Sequence, residues 1–341
     1  MEMKFALRLP VTGPISSSEA IDLYAQYAES LGYYAVTTHD HVFMSYDQRY
    51  HTSGGLAEVI DMKEKLGLPI SNVYETMTVF SKIAGMTERI HMIPCALVLP
   101  IRHPVLFAKQ AITLDHLSDG RFICNVCIGN IPSDFDAMGV NFDKRGKIMN
   151  EYIDILKQIF SIGKVSFQGQ YISISECEIF PKAKNIPIWT ASSFSDPGIK
   201  RAVKYAEGMF LRALTPDQYV EGISKLKKSL KRYGRGETDI KTIGHQNFLC
   251  MRKDGEKARR NMKYTIESFY HGDQKITEIT YKNALIGTPD DVINKIQVLL
   301  DVGVNIIDLR INATGLDDAL QMIKYFAKEV MPSFSDSSEK W

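Results

Sequence analysis

Three side chains that can move protons or bind metals stand together at His39-Asp40-His41. They follow directly on residues 34–38, whose apolar and β-branched run reads as a strand. Three chemistries fit the triplet. As a plain solvated loop it does nothing. As an H-x-H metal site, His39 and His41 share one face of an extended chain. A catalytic zinc needs about three protein ligands, and the later strand ends supply poor ones: Gly129-Asn130, Ala191-Ser192-Ser193 and Arg212. No metal is expected. The third reading is a histidine working as acid or base, its ring oriented by the neighbouring carboxylate.

Sulfur chemistry is a weaker prospect. The five cysteines, Cys95, Cys124, Cys127, Cys177 and Cys250, are odd in number and scattered, unlike a disulfide framework. Cys124 and Cys127 form a C-x-x-C, but they sit in a run (121–128) that reads as a strand. Side chains alternate along a strand, so positions three apart face opposite ways. A second polar stretch runs from Leu97-Val-Leu-Pro-Ile-Arg-His-Pro104 into Thr113-Leu-Asp-His-Leu-Ser-Asp-Gly-Arg121. Pro104 starts a helix and Gly120 ends a turn. Asp115 and Arg121 are placed either to pair or to cap that turn. His91, His103, His116, His245 and His271 have no evident chemical partners in the sequence.

The elements that must position these groups alternate. Strands are expected at 4–9, 34–38, 90–97, 121–128, 187–190, 208–211, 242–251 and 306–311. Helices separate them, the first opened by Ser16-Ser-Ser-Glu19 read as a capping box. Residues 165–180 alternate around Gln168-Gly169 as a β-hairpin excursion ahead of the fifth strand. About eight strands alternating with helices predict an α/β fold, a (β/α)8 TIM barrel, with chemistry on the loops after the strand C-terminal ends. The longest of those loops, 45–72, follows the second strand. Its Tyr46, Arg49, Tyr50 and His51 are candidates to touch substrate or a coenzyme tail.

Bulk properties agree with a single domain, 1–341. The chain is 45% hydrophobic and 24% charged with net charge +1. A chain this size buries roughly 75% of its unfolded surface and needs no staple. The charge balance gives no reason to expect a nucleic-acid partner. The apolar run 93–101 is too short to span a bilayer, and the start reads as a strand, so no membrane partner and a cytoplasmic location are expected.

Several motifs in order resemble the bacterial luciferase-like monooxygenase superfamily. They are Asp40-His41 after the second strand, the Arg102-His-Pro-Val105 turn with its Leu114-Asp-His-Leu-Ser-Asp-Gly-Arg121 run, and Asp134-Phe-Asp-Ala-Met-Gly139. Pro187-Ile-Trp-Thr-Ala-Ser192 and Ile286-Gly-Thr-Pro-Asp-Asp-Val292 follow. The resemblance covers nearly the whole chain. It implies catalytic roles for His41 and Asp40 at the face of a bound ring. It places Cys95-Ala96 at a non-prolyl cis peptide behind that ring, and Cys127 on the pocket wall. Asn125, of the same parity, and Asn130 join the cofactor set. Ala191, Ser192, Ser193 and Ser195 fall where the family holds a cofactor phosphate, ahead of a helix N-terminus. Two departures stand out: Ile128 where luciferase has an arginine, and Asn130 where sugar-phosphate dehydrogenases of the deazaflavin branch have a catalytic glutamate.

The expectation is therefore an oxidoreductase using the deazaflavin coenzyme F-420 to pass a hydride to or from a small organic substrate. Alternatives are a reduced-FMN-dependent monooxygenase and a non-catalytic flavin-binding barrel, with a metal-dependent hydrolase as the outsider. The resemblance also implies a homodimer.

Overall fold

The structure, a computed structural model, describes residues 2–43, 72–212, 214–269 and 274–335. Tyr46, Arg49, Tyr50, His51 and His271 lie outside the described residues. The chain runs β1 (Lys4–Arg8), α1 (Ser18–Ser30), β2 (Ala35–Thr38), α2 (Thr76–Met86), β3 (His91–Pro94), β4 (Leu97–Val98), α3 (Pro104–Leu117), β5 (Cys124–Cys127), α4 (Pro132–Ala137) and α5 (Arg145–Ile162). It continues with β6 (Lys164–Gln168), β7 (Ser173–Glu178), β8 (Ile188–Ala191), α6 (Asp196–Tyr205), β9 (Gly208–Leu211), α7 (Pro216–Arg232) and β10 (Thr242–Met251). The last elements are α8 (Gly255–Phe269), α9 (Gln274–Asn283), β11 (Leu285–Gly287), α10 (Pro289–Asp301), β12 (Ile306–Ile311) and α11 (Leu316–Glu329).

The main sheet is parallel and follows the order β3-β2-β1-β12-β10-β9-β8-β5-β4. Its two ends, β3 and β4, are halves of one strand separated by two residues, and Met92 of β3 bridges Phe122 ahead of β5. The sheet thus closes into the expected barrel. β11 pairs with β10 outside the ring, and β6 with β7 form the antiparallel excursion ahead of β8. The sequence pattern did not predict β11, α4 or α9. No described helix is long and apolar enough to cross a membrane.

Strand parity sorts the core into two layers. Between barrel and helices lie residues such as Leu7, Cys124, Val126 and Leu309. Inside the barrel, Ala6, Ile93, Ile123, Trp189 and Phe210 pack together. Cys124 and Cys127 therefore face opposite ways, as alternation requires. Two glycines make room for the interior aromatics. A Cβ on Gly208 would meet the Trp189 ring at 2.8 Å, and one on Gly244 the Phe210 ring at 2.7 Å.

Helix ends follow their local chemistry, with one correction. Ser17, not Ser16, caps α1, accepting the Ala20 N–H, and the Ser16–Glu19 box does not form. Arg121 does not pair with Asp115. Its guanidinium donates to the carbonyls of Ala84, Thr87, Ile90 and Ser118 and to the Thr87 hydroxyl. It thereby satisfies carbonyls that the end of α2 leaves open. Asp115 instead accepts the Lys184 N–H.

His245 has partners that the sequence concealed. It is fully buried on β10, 2.8 Å from the Tyr219 hydroxyl and 2.9 Å from the Asn247 amide. Burial pushes its imidazole down to about 3 from 6.5. The unfolded chain therefore binds a proton that the folded chain refuses between those values. Stability is expected to fall as pH drops below 6.5, by up to about 1.4 kcal/mol per unit for this group. Urea unfolding of His245→Gln at several pH values checks this. The variant should lose one proton's worth of slope, and an unchanged slope rules His245 out as the source.

Candidate functional site

A cavity of about 360 Å³ opens at the C-terminal ends of the barrel strands. The last inward positions of β1 and β12 bring charges to it, Arg8 and Arg310. Arg8, at the end of β1, is ion-paired and hydrogen-bonded with fully buried Asp308 of β12. The Thr37 hydroxyl donates to the other Asp308 oxygen at 2.6 Å. Burial works against the Arg8 charge, but Asp308 and the nearby Cys95 outweigh it and raise the guanidinium further.

One wall is the interruption between β3 and β4. The Cys95–Ala96 peptide is cis, as the resemblance implied. Three side chains hold that break. Asn125 Nδ2 donates to the Pro94 carbonyl at 2.8 Å, Gln246 Nε2 reaches Cys95 Sγ at 3.2 Å, and Cys127 Sγ lies 3.7 Å from the Ala96 carbonyl. Burial pushes the Cys127 thiol up to about 12, so it stays neutral. Cys95, Ala96, Cys127 and Asn130 line the cavity. Asn125 has the predicted parity but is fully buried and braces the wall from behind.

The triplet divides its roles. Asp40 is almost wholly buried and accepts from the Val98 N–H at 2.8 Å and from both terminal nitrogens of Arg102 at 2.8 and 2.7 Å. The expectation that Asp40 orients His41 is thus corrected: its oxygens are taken by the β4–α3 turn. His39 Nε2 lies 2.9 Å from the Thr12 hydroxyl. Burial, then the charges of His41, Arg8 and Arg310, push His39 well below the ordinary histidine value, so it is neutral. His41 is half-buried on the cavity wall, its ring 5.3 Å from that of His39. The carboxylate it faces is Asp134 of α4, 3.8 Å from Nδ1.

Across the cavity, Ala191, Ser192 and Ser193 line the end of β8. Ser195 does not reach it. Ser195 caps α6 by accepting the Gly198 N–H, and Ser193 bonds to it at 3.0 Å. Ser192 Oγ, His41 Nδ1 and Arg8 Nε are buried without a hydrogen-bond partner among the described residues. Among the described residues no three His, Cys, Asp or Glu side chains gather into a metal site.

Sequence reasoning missed Arg8, Gln246, Arg310 and Arg212 on the lining and Arg102 and Asp134 behind it. Parity would have found three of these. Arg8 lies two residues after Ala6, Gln246 two after Gly244, and Arg310 two after Asp308, all inward positions.

A closed parallel barrel with a mixed polar and apolar cavity at its strand C-termini is the class of protein that these features define. The chain belongs to the luciferase-like monooxygenase family, whose model matches residues 7–282. It is 27% identical over 169 residues to the pyrimidine monooxygenase RutA of Enterobacter cloacae subsp. cloacae, covering 47% of this chain and 46% of that one. The match thus spans about half the length of that relative. The fold resembles the monooxygenase RslO1 from Streptomyces bottropensis, with TM-score 0.77, 19% identity, and 98% and 100% of the two chains covered. It equally resembles the coenzyme F420 dependent tetrahydromethanopterin reductase from Methanopyrus kandleri, with TM-score 0.76, 20% identity and the same coverage.

The Asp40–Arg102 pair generates a stability prediction. Arg102→Ala strands a buried carboxylate, which typically costs about 3–5 kcal/mol. Arg102→Lys keeps the charge but loses the two-pronged contact and should cost less. Urea unfolding of both variants measures this. A loss below about 1 kcal/mol for the alanine variant, the range of exposed pairs, contradicts it.

Proposed function

We propose that this barrel is an oxidoreductase that holds a flavin-type ring in its C-terminal cavity and passes a hydride to or from a small organic substrate. Deazaflavin coenzyme F-420 is the proposed carrier, with His41 as the acid or base. The carrying observation is the placement of His41. His41 lines the cavity with a buried ring nitrogen that has no hydrogen-bond partner among the described residues, and Cys95 and Ala96 line the same cavity.

The residues present fit such a group. The Cys95–Ala96 and Val98 segment offers an apolar surface for a flat ring, with Cys127 as a neutral thiol beside it. Ser192 brings an unpartnered hydroxyl to the foot of α6, and Ser193 lines the same edge. Hydroxyls and backbone N–H groups ahead of a helix suit a phosphate, and Arg212 at the lip adds a cation. The bound cofactor would supply the hydride chemistry. The protein orients it, screens it from water and exchanges one proton through His41. His39, neutral and tied to Thr12, keeps the ring of His41 company without competing for the proton. Asn130 has no acid–base capacity at neutral pH, so it contributes hydrogen bonds alone.

A second reading, a monooxygenase using reduced FMN, is supported by the likeness to RutA. Titrating the purified protein with F-420 and with FMN, read by fluorescence quenching, separates the two. Tight binding of F-420 with weak FMN binding supports the first, and the reverse supports the second. With the bound cofactor, His41→Ala should lower kcat/KM by about 10²–10⁴-fold, the usual worth of a positioned acid or base. Its cofactor affinity should stay within a few-fold. Unchanged turnover would remove His41 from the mechanism, and a protein that binds cofactor but turns over nothing is the non-catalytic barrel.

A further inference from the structure

Asp134 and His41 share an unresolved polar contact deep in the site. Asp134 is only 2% exposed, and its Oδ1 is buried with no hydrogen-bond partner. His41 Nδ1 is buried and equally without one. The two side chains approach to 3.8 Å between Nδ1 and Asp134 Oδ2. Buried polar atoms are nearly always satisfied. An imidazole nitrogen able to donate thus lies beside a carboxylate able only to accept, whose other oxygen is itself unsatisfied.

The approach is built, not incidental. Asp134 sits on α4, and the next residue, Phe135, is fully buried against Val98 and Ile101 and edge-on to Phe142 at 5.2 Å. Gly129, at φ +75°, lets the chain leave β5 that close. A Cβ there would meet Val98 at 2.6 Å and the Phe135 ring at 2.8 Å. Arg145 ties the same segment down through the carbonyls of Gly129 and Phe142. α4 is thus fixed to the very strand end, Val98, that Asp40 grips from the other side.

We infer that Asp134 is a positioning residue for His41, holding it as the Nδ1–H tautomer so that Nε2 is left as the proton acceptor. A neutral imidazole carries one donor and one acceptor nitrogen, so a carboxylate on Nδ1 decides which is which. Hydrogen bonds of this kind are often long before a ligand is bound. In the working direction, a substrate O–H or N–H bond breaks and its proton passes to Nε2. The substrate keeps the electron pair, and the imidazolium formed lies against Asp134. The other groups around the ring do not compete. His39 is neutral, Asp40 is held by Arg102, and Asn130 does not titrate. This assignment rests on the proposed role of His41, but its test does not require turnover.

The test is NMR of the full-length protein with 15N-labelled histidine side chains, the His41 signals being those missing from His41→Gln. In the wild type, Nδ1 should be the protonated nitrogen at neutral pH. In Asp134→Asn, whose carboxamide can donate as well as accept, the share of the Nδ1–H form should fall at least twofold. Asp134→Glu should recover most of that share. A wild-type Nε2–H tautomer, or a tautomer balance unmoved in Asp134→Asn, overturns the assignment. If Asp134→Asn fails to fold, the wild-type tautomer alone still decides. Failure of F-420 and FMN to bind would refute the proposed function while leaving this result intact, so the two can fail separately.

Discussion

The carboxylate of Asp40 is buried at the end of β2, and a buried carboxylate has to be paired. Its partner, Arg102, comes from the turn that follows the interrupted third strand, and the bond to the Val98 N–H comes from the strand half just before it. One side chain thus ties together two neighbouring strand ends across the interruption. The backbone of His39 and His41 on either side of Asp40 is held by the same contact. Thr76 at the start of α2 adds a bond to the His39 carbonyl at 3.2 Å.

The same constraint explains the crowding on the β5 side. Val98 is gripped by Asp40 and also packs against Phe135, so the chain after β5 must pass very close to it. Only a residue without a Cβ can make that passage with a positive φ, and the residue there is Gly129. The interior glycines Gly208 and Gly244 solve a similar problem lower in the barrel, where Trp189 and Phe210 fill the space that side chains on β9 and β10 would take. Cavity above and solid packing below follow from the same alternation of inward positions.

Much of the fold was legible because its signals are local. Strand runs such as 208–211, 242–251 and 306–311 coincide with β9, β10 and β12. β11 and α9 were not legible. β11 is three residues long and hangs off β10 outside the ring, where no alternation develops. Of the residues on the cavity lining, His41, Cys127, Asn130, Ser192 and Ser193 were named from motif order. Asp40 was found too, but with the wrong partner: adjacency in sequence suggested His41, whereas successive side chains at a strand end point apart. Arg102 and Asp134 lie 62 and 93 positions from the residues they face, so local spacing carries no trace of them.

His39 and His41 show how little residue type decides by itself. They are two apart, and their rings nearly touch. One is half-buried among cations and bonded to a hydroxyl, so it is held neutral. The other keeps an unpartnered nitrogen beside a carboxylate at the edge of the cavity. An H-x-H pattern read as a metal chelate would require both rings to present lone pairs to one point. Here one ring is turned to Thr12 and the other to Asp134, so the two do not converge on one point.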